Sequence, residues 1–105
     1  MTTKKEYKEA LKNSIAFYLC EIKNNFQNLI EYSLDVYITK SNVSRQVVEF
    51  TLLVTSGGPR IELVFKPSAV YLNYYAMGFI SVENFVCVDS GYFDELAEWF
   101  IYDAI

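Results

Sequence analysis

The sequence predicts one α+β domain over residues 1–105, with two layers: a long N-terminal helix, an antiparallel sheet of three to five strands, and a C-terminal amphipathic helix. Three observations support this fold class. Apolar residues recur every three or four positions at both ends of the chain. They alternate with polar residues in its middle, and a Ser-Gly-Gly-Pro turn at residues 56–59 joins two of these alternating segments. A chain of 105 residues has the length of a single domain.

The first element is a helix from about Lys4 to Tyr32, either continuous or bent at Asn24-Asn25. Thr3 and Glu6 have the spacing of a capping box, which predicts where the helix begins. Spacings of three and four residues produce one apolar stripe, formed by Tyr7, Leu11, Ile15, Tyr18, Leu19, Ile22, Phe26, Leu29 and Ile30.

The middle of the chain predicts the sheet. Segments 48–54 and 61–65 alternate with a period of two and flank the glycine-containing turn, so they form an antiparallel hairpin. Residues 70–77 predict a third strand, and residues 79–88 a fourth that can carry a bulge. The segment from Leu34 to Ile38 fits either a further strand or an extension of the first helix. A two-layer domain follows, because the helices and one sheet face must cover each other's apolar surfaces.

The last element is a second helix that Asp89 or Ser90 can cap. Asp94 and Glu95 in its first turn suit the helix dipole. Its core-facing stripe follows helical spacing and consists of Phe93, Leu96, Ala97, Phe100, Ile101 and Ala104.

Nothing in the sequence predicts an enzyme, a cofactor or a metal site. The chain has no histidine, so the commonest general base and metal ligand is missing. The two turn glycines lack the lysine and the helix of a phosphate-binding loop. The carboxylate pairs Glu49 with Glu62 and Glu83 with Asp89 match no metal-binding loop, and solvated carboxylates on a strand face explain them better.

Several features predict a cytoplasmic protein. The N-terminus has no apolar stretch of a signal peptide, and no apolar run is long enough to cross a membrane. Cys20 and Cys87 sit among apolar neighbours and are expected to be buried free thiols in a reducing compartment.

Charge is unevenly distributed along the chain. Residues 1–66 hold nine Lys/Arg and seven Asp/Glu, whereas residues 67–105 hold six acidic residues and no basic one. The negative electrostatic field of residues 67–105 repels phosphates and attracts basic surfaces. It therefore disfavours direct nucleic-acid binding and favours a basic protein partner. A helix made acidic for solubility is the simpler alternative.

Tyrosine is abundant, with nine in the chain. Tyr71 and Tyr75 share one face of the third strand, which is either a contact surface or a second core wall under residues 34–38. Trp99 flanks the core stripe of the last helix. The residues predicted to bind a partner combine these aromatic anchors with nearby charges: Arg60, Tyr71, Tyr75, Glu83, Asp94, Glu95, Glu98, Trp99 and Asp103.

The segment 52–63 resembles a Leu-x-x-Ser/Thr-x-Gly-Gly-Pro hairpin found in small proteins of phages and mobile elements. The resemblance implies a phage accessory protein acting in the host cytoplasm, similar to anti-CRISPR inhibitors that block a nuclease by occupying it. The predicted function is therefore non-enzymatic inhibition or modulation of a basic host protein or nucleoprotein complex. Two alternatives stay open: a small-ligand-binding or regulatory domain with a tyrosine-lined pocket, and an oligomeric structural protein that pairs with further copies of itself.

Overall fold

The computed structural model describes residues 3–76, 79–80, 83–88 and 90–102. It has an α+β fold, which confirms the predicted class. In chain order the elements are α1 (Lys4–Asn24), α2 (Phe26–Tyr32), β1 (Asp35–Lys40), β2 (Val47–Thr55), β3 (Arg60–Lys66), β4 (Ala69–Ala76), β5 (Phe79–Ile80), β6 (Asn84–Cys87), α3 (Ser90–Ala97) and a π-helical segment (Glu98–Tyr102).

The N-terminal helical region begins and bends where the sequence indicates. The Glu6 backbone N–H donates a hydrogen bond of 3.1 Å to Thr3 Oγ1, which satisfies one of the N–H groups that a helix start leaves unpaired. Asn25 leaves the helical region, with φ −137° and ψ 37°, and divides the helix into α1 and α2. The most deeply buried side chains of the two helices are Tyr7, Ile22, Phe26 and Ile30.

The cysteine prediction is wrong for Cys20, which is exposed. Its position on α1 is displaced by about half a turn from the buried Ile22, so it faces away from the core. Its sulfur accepts a hydrogen bond of 3.3 Å from the Asn24 side-chain amide. Cys87 is half-buried in β6.

All strand pairs are antiparallel, in the order β1-β2-β3-β4, and β5 and β6 both pair with β4. Residues 34–38 contribute to a strand, not to a helix extension, since β1 pairs with β2. The predicted fourth strand is two short strands. In β5 Ile80 lies opposite Tyr75, and in β6 Asn84 lies opposite Leu72. Within the pair of β4 and β6 the register shifts by one residue between Val70 and Tyr71, which is the count that a β-bulge produces.

The predicted hairpin turn is confirmed between β2 and β3. Gly57 has a φ of +110°, a backbone conformation that residues with a Cβ rarely adopt. The Thr55 hydroxyl donates a hydrogen bond of 2.8 Å to the Pro59 carbonyl oxygen and closes the turn.

The three helices lie on one face of the sheet. Ring contacts show this directly: Tyr7 of α1 packs on Tyr74, Phe26 of α2 on Phe65, and Phe93 of α3 on Phe50, with ring centroids 5.2–5.5 Å apart. This covered face holds the fully buried side chains of the strands, Phe50, Leu52, Leu63, Phe65, Val70 and Leu72. Tyr74 and its neighbour Ile61 lie on this face as well, and since side chains alternate along a strand, the residues between these positions point away from the helices.

The C-terminal helix packs as its sequence pattern predicts. Leu96 is fully buried, and Phe93, Ala97 and Phe100 pack against the core. Regular α-helix ends at Ala97, after which the chain continues as the π-helical segment. Ser90 is the first helical residue rather than the cap, and Asp89 and Ala104 lie outside the described residues. Of the helices that the structure describes, none has the length and hydropathy to cross a membrane.

Candidate functional site

The sheet face opposite the helices is the candidate functional site, and we call it the open face. Within the described residues no helix covers it. One row runs across five strands, in which Tyr37, Thr51, Val64, Tyr71 and Phe85 lie directly opposite one another on neighbouring strands. Parallel to this row, on the same face, lie Glu49, Arg60, Glu62, Lys66, Asn73 and Tyr75.

An ion pair occupies the turn end of the open face. Arg60 Nη2 lies 2.9 Å from Glu62 Oε2, and the Glu62 side chain is only 16% exposed. The hydrogen bond to Glu62, followed by one to Tyr37, raises the pKa of Arg60. Burial, and then the negative charge of Glu62, raises the pKa of the neighbouring Tyr75. Arg60 contacts Tyr37 of β1 and Glu62 contacts Tyr75 of β4, so this ion pair joins side chains of β1, β3 and β4 into one polar network.

A second ion pair lies toward the other end of β3. Lys66 Nζ donates hydrogen bonds to both Glu83 carboxylate oxygens, at 2.9 and 3.2 Å, which raises the pKa of Lys66. The same ammonium lies 4.9 Å from the centre of the Tyr71 ring, and Phe85 meets that ring edge-on at 6.1 Å. This arrangement holds Tyr71 between a cation and an aromatic neighbour.

Between the two ion pairs the open face contains a cleft of ≈ 390 Å³. Its residues are contributed by four strands and the segment before β6: Tyr37, Glu49, Thr51, Glu62, Val64, Asn73 and Glu83. Val64, only 4% exposed, is its most buried residue. Asn73 Oδ1 is buried and has no hydrogen-bond partner among the described residues.

The cleft is rich in hydrogen-bond acceptors. Three carboxylates line it, and two of them are paired with Arg60 and Lys66, so one negative charge is left over. Among the described residues no group of three Asp, Glu, Cys or His side chains could hold a metal ion. The arrangement suits a ligand that brings positive charge and several N–H donors.

The structure divides the predicted partner-binding residues between two sides of the sheet. Arg60, Tyr71, Tyr75 and Glu83 come together at the open face. Because Phe93 packs on the covered face, α3 and its continuation lie in the helical layer. That layer holds the exposed Asp94, Glu95 and Glu98 and the half-buried Trp99, which packs against the core. Asp103 lies outside the described residues.

The open face also bears on the two interpretations of the tyrosines. Residues 35–38 belong to the edge strand of the same sheet, so they do not form a cover above Tyr71 and Tyr75. Both tyrosines remain half-buried on a face that no described helix covers. Residues 35–38 therefore do not form a second core wall over these tyrosines, and the contact surface stays a prediction.

The predicted partner-binding set leaves out residues that the structure places on the open face, among them Tyr37, Glu49, Glu62, Asn73 and Phe85. Asn73 shares the period-two face of Tyr71 and Tyr75, which is a signal available in the sequence. Tyr37 and Glu49 required the register of β1 on β2, which the sequence does not determine.

A second cleft, also of ≈ 390 Å³, lies between α1 and the hairpin turn. Tyr7 and Tyr74 line it together with Glu6, Ala10, Gly58, Pro59 and Ala76. The Tyr7 hydroxyl donates a hydrogen bond of 3.5 Å to the Tyr74 carbonyl oxygen. This cleft lies between the sheet and a helix, which is the location expected for a tyrosine-lined pocket.

Comparison of this chain with protein-family models, with curated proteins and with solved structures finds no match. The fold and the open face define a small α+β domain with an uncovered, acceptor-rich sheet surface.

Proposed function

We propose that this protein is a non-enzymatic binding protein that inhibits or modulates a basic partner by docking its open face on it. The observation that supports the proposal is the combination found there: an uncovered sheet face, aromatic side chains at both ends of one cross-strand row, and an excess of carboxylates between them. Aromatic residues and complementary charge are the usual components of a protein interface.

The dimensions of the open face fit this role. Tyr37 and Phe85 end the row and are 44% and 53% exposed, so both offer apolar surface that a partner can bury. Four strand spacings of about 4.8 Å separate them, a distance of about 19 Å. That width is consistent with the roughly 800 Å² that each partner buries in an interface of standard size.

The partner that best fits is a basic protein or nucleoprotein complex in the cytoplasm of a host cell. In its most specific form, the protein is a phage-encoded inhibitor that occupies a groove in which a nuclease complex otherwise holds nucleic acid. The carboxylates of the open face, which include Glu83 from the acidic C-terminal third, support a competitor for such a groove. Competition would be steric and electrostatic, so binding weakens as salt screens the charges.

A capture experiment with two matched variants tests the surface. The open-face variant combines Tyr37→Ala with Phe85→Ala, and the helical-layer variant combines Asp94→Asn with Glu95→Gln. We expect the wild type and the helical-layer variant to retain the same basic partner from host lysate at low salt, and the open-face variant to lose it. Elution between about 0.1 and 0.5 M salt would show the electrostatic contribution. Partner loss in the helical-layer variant alone would move the site to α3 and contradict the proposal.

The cleft between α1 and the hairpin turn supports a second candidate, a small-ligand-binding or regulatory domain. Its tyrosines offer apolar rings with polar tips, as ligand pockets commonly do. A panel of metabolites tested by thermal shift addresses this candidate. A ligand that stabilises the wild type but not a Tyr74→Ala variant, with no protein partner captured, would favour it over docking.

A further inference from the structure

Among the described residues, one carboxylate in the cleft of the open face has no cation of its own. Glu62 is paired with Arg60 and Glu83 with Lys66, while the partner of Glu49 in this part of the chain is the Thr39 hydroxyl, 3.5 Å from its Oε2 atom. Glu49 contributes to the raised pKa of Lys66 through its charge, after the hydrogen bond and the charge of Glu83. The cleft therefore has charge complementarity for one more cation.

A buried acceptor lies in the same cleft. Asn73 stands directly opposite Glu62 on the neighbouring strand, and its Oδ1 atom is buried with no donor among the described residues. Such a group costs about 1–3 kcal/mol when its hydrogen bond is missing. Because the atom is buried in its present position, a ligand donor reaches it and removes that cost when the Asn73 side chain turns toward the cleft that it lines. This observation is independent of the charge count.

We propose that this cleft receives an arginine side chain of the basic partner, an inference that rests on the proposed docking of the open face. A guanidinium has five N–H donors in a planar fork, so it can serve the Glu49 carboxylate and the Asn73 amide oxygen together. The Tyr37 ring, which also lines the cleft, offers a face on which a guanidinium can stack. A lysine ammonium is more strongly hydrated and concentrates its donors at one point.

Titration with blocked tripeptides, monitored by NMR, tests the inference. The probes are acetyl-Gly-Arg-Gly-amide, its lysine counterpart and its citrulline counterpart, which keeps the shape of arginine without the charge. We expect the arginine peptide to shift the NMR signals of the Asn73 side-chain amide and of the Tyr37 ring. The lysine peptide should bind more weakly, and the citrulline peptide should leave these signals unchanged. Glu49→Gln should weaken arginine binding about tenfold, the loss expected for one charge-assisted hydrogen bond.

The matched control is Glu95→Gln, which removes the same charge from the exposed surface of α3 and should leave arginine binding unchanged. Equal weakening by Glu49→Gln and Glu95→Gln would overturn the inference, because net charge alone would then explain binding. Equal affinity for the arginine and lysine peptides would overturn the assignment to a guanidinium. If a partner is captured through Tyr37 and Phe85 but Glu49→Gln has no effect on that capture, the proposed function stands and this inference fails.

Discussion

Phe50 is the side chain whose removal should most directly test the packing of α3 on the sheet. It is fully buried on β2, and its ring centroid lies 5.2 Å from that of Phe93 and 6.3 Å from that of Phe100. Burying such a side chain contributes about 1.5–3 kcal/mol, and each aromatic contact about 0.5–1.5 kcal/mol more. Phe50→Ala should therefore lower the free energy of unfolding by about 4 kcal/mol, within the 3–5 kcal/mol known for such replacements.

Urea unfolding followed by circular dichroism measures this change. For a domain of this size the midpoint should fall by about 2 M urea and the melting temperature by roughly 15–25 °C. Phe17→Ala is the matched control, because Phe17 is 57% exposed on α1 and its loss should change stability by less than about 0.5 kcal/mol. A Phe50→Ala loss below about 1.5 kcal/mol would refute the packing of α3 against β2, because that packing requires the Phe50 ring.

Three further predictions concern the polar groups of the open face. A double-mutant cycle of Arg60→Ala and Glu62→Gln should give a favourable coupling in urea unfolding that declines with salt, because Arg60 lies at the surface and salt screens exposed ion pairs; an undiminished coupling in 1 M salt would contradict the prediction. The pKa of Tyr75 is higher in the folded protein than in the unfolded chain, where Tyr75 ionises at about pH 10. The free energy of unfolding therefore falls as the pH rises from that value toward the folded pKa. Tyr75→Phe should make unfolding curves less pH-dependent in this range, and an unchanged dependence would count against the shift. Asn73→Leu removes a buried acceptor that is unpaired among the described residues, so it should raise the free energy of unfolding, measured in urea, by about 1 kcal/mol. The same substitution should weaken the binding of the arginine peptide. A loss of stability would mean that Asn73 Oδ1 has a partner.

Much of the fold could be predicted because its signals are local. The Thr3 cap, the bend at Asn24-Asn25 and the glycine-containing turn depend on neighbours within a few residues, and the structure has all three. The division of the fourth strand into β5 and β6 could not be located, because it depends on how these two strands pair with β4, and pairing between strands is not encoded in local spacing.

The candidate site could be predicted only within single elements. Tyr71 and Tyr75 were placed on one strand face by the period of two, and Arg60 faces the same way on β3. The sequence groups Asp94, Glu95 and Glu98 with them as acidic residues of the same C-terminal third of the chain, near the aromatic anchors. Their separation follows from the docking of α3, which no local spacing encodes.

The sequence by itself determined the type and limits of most elements, the two faces of each long strand, and the acidic excess of the last third. Those properties follow from side-chain periodicity and composition. The tertiary structure decided which face of the sheet the helices cover, since only the packing of Phe26, Tyr7 and Phe93 against distant strands makes that choice. By covering one face it left the other open, and it thereby brought Glu49, Asn73 and the two ion pairs around a single cleft.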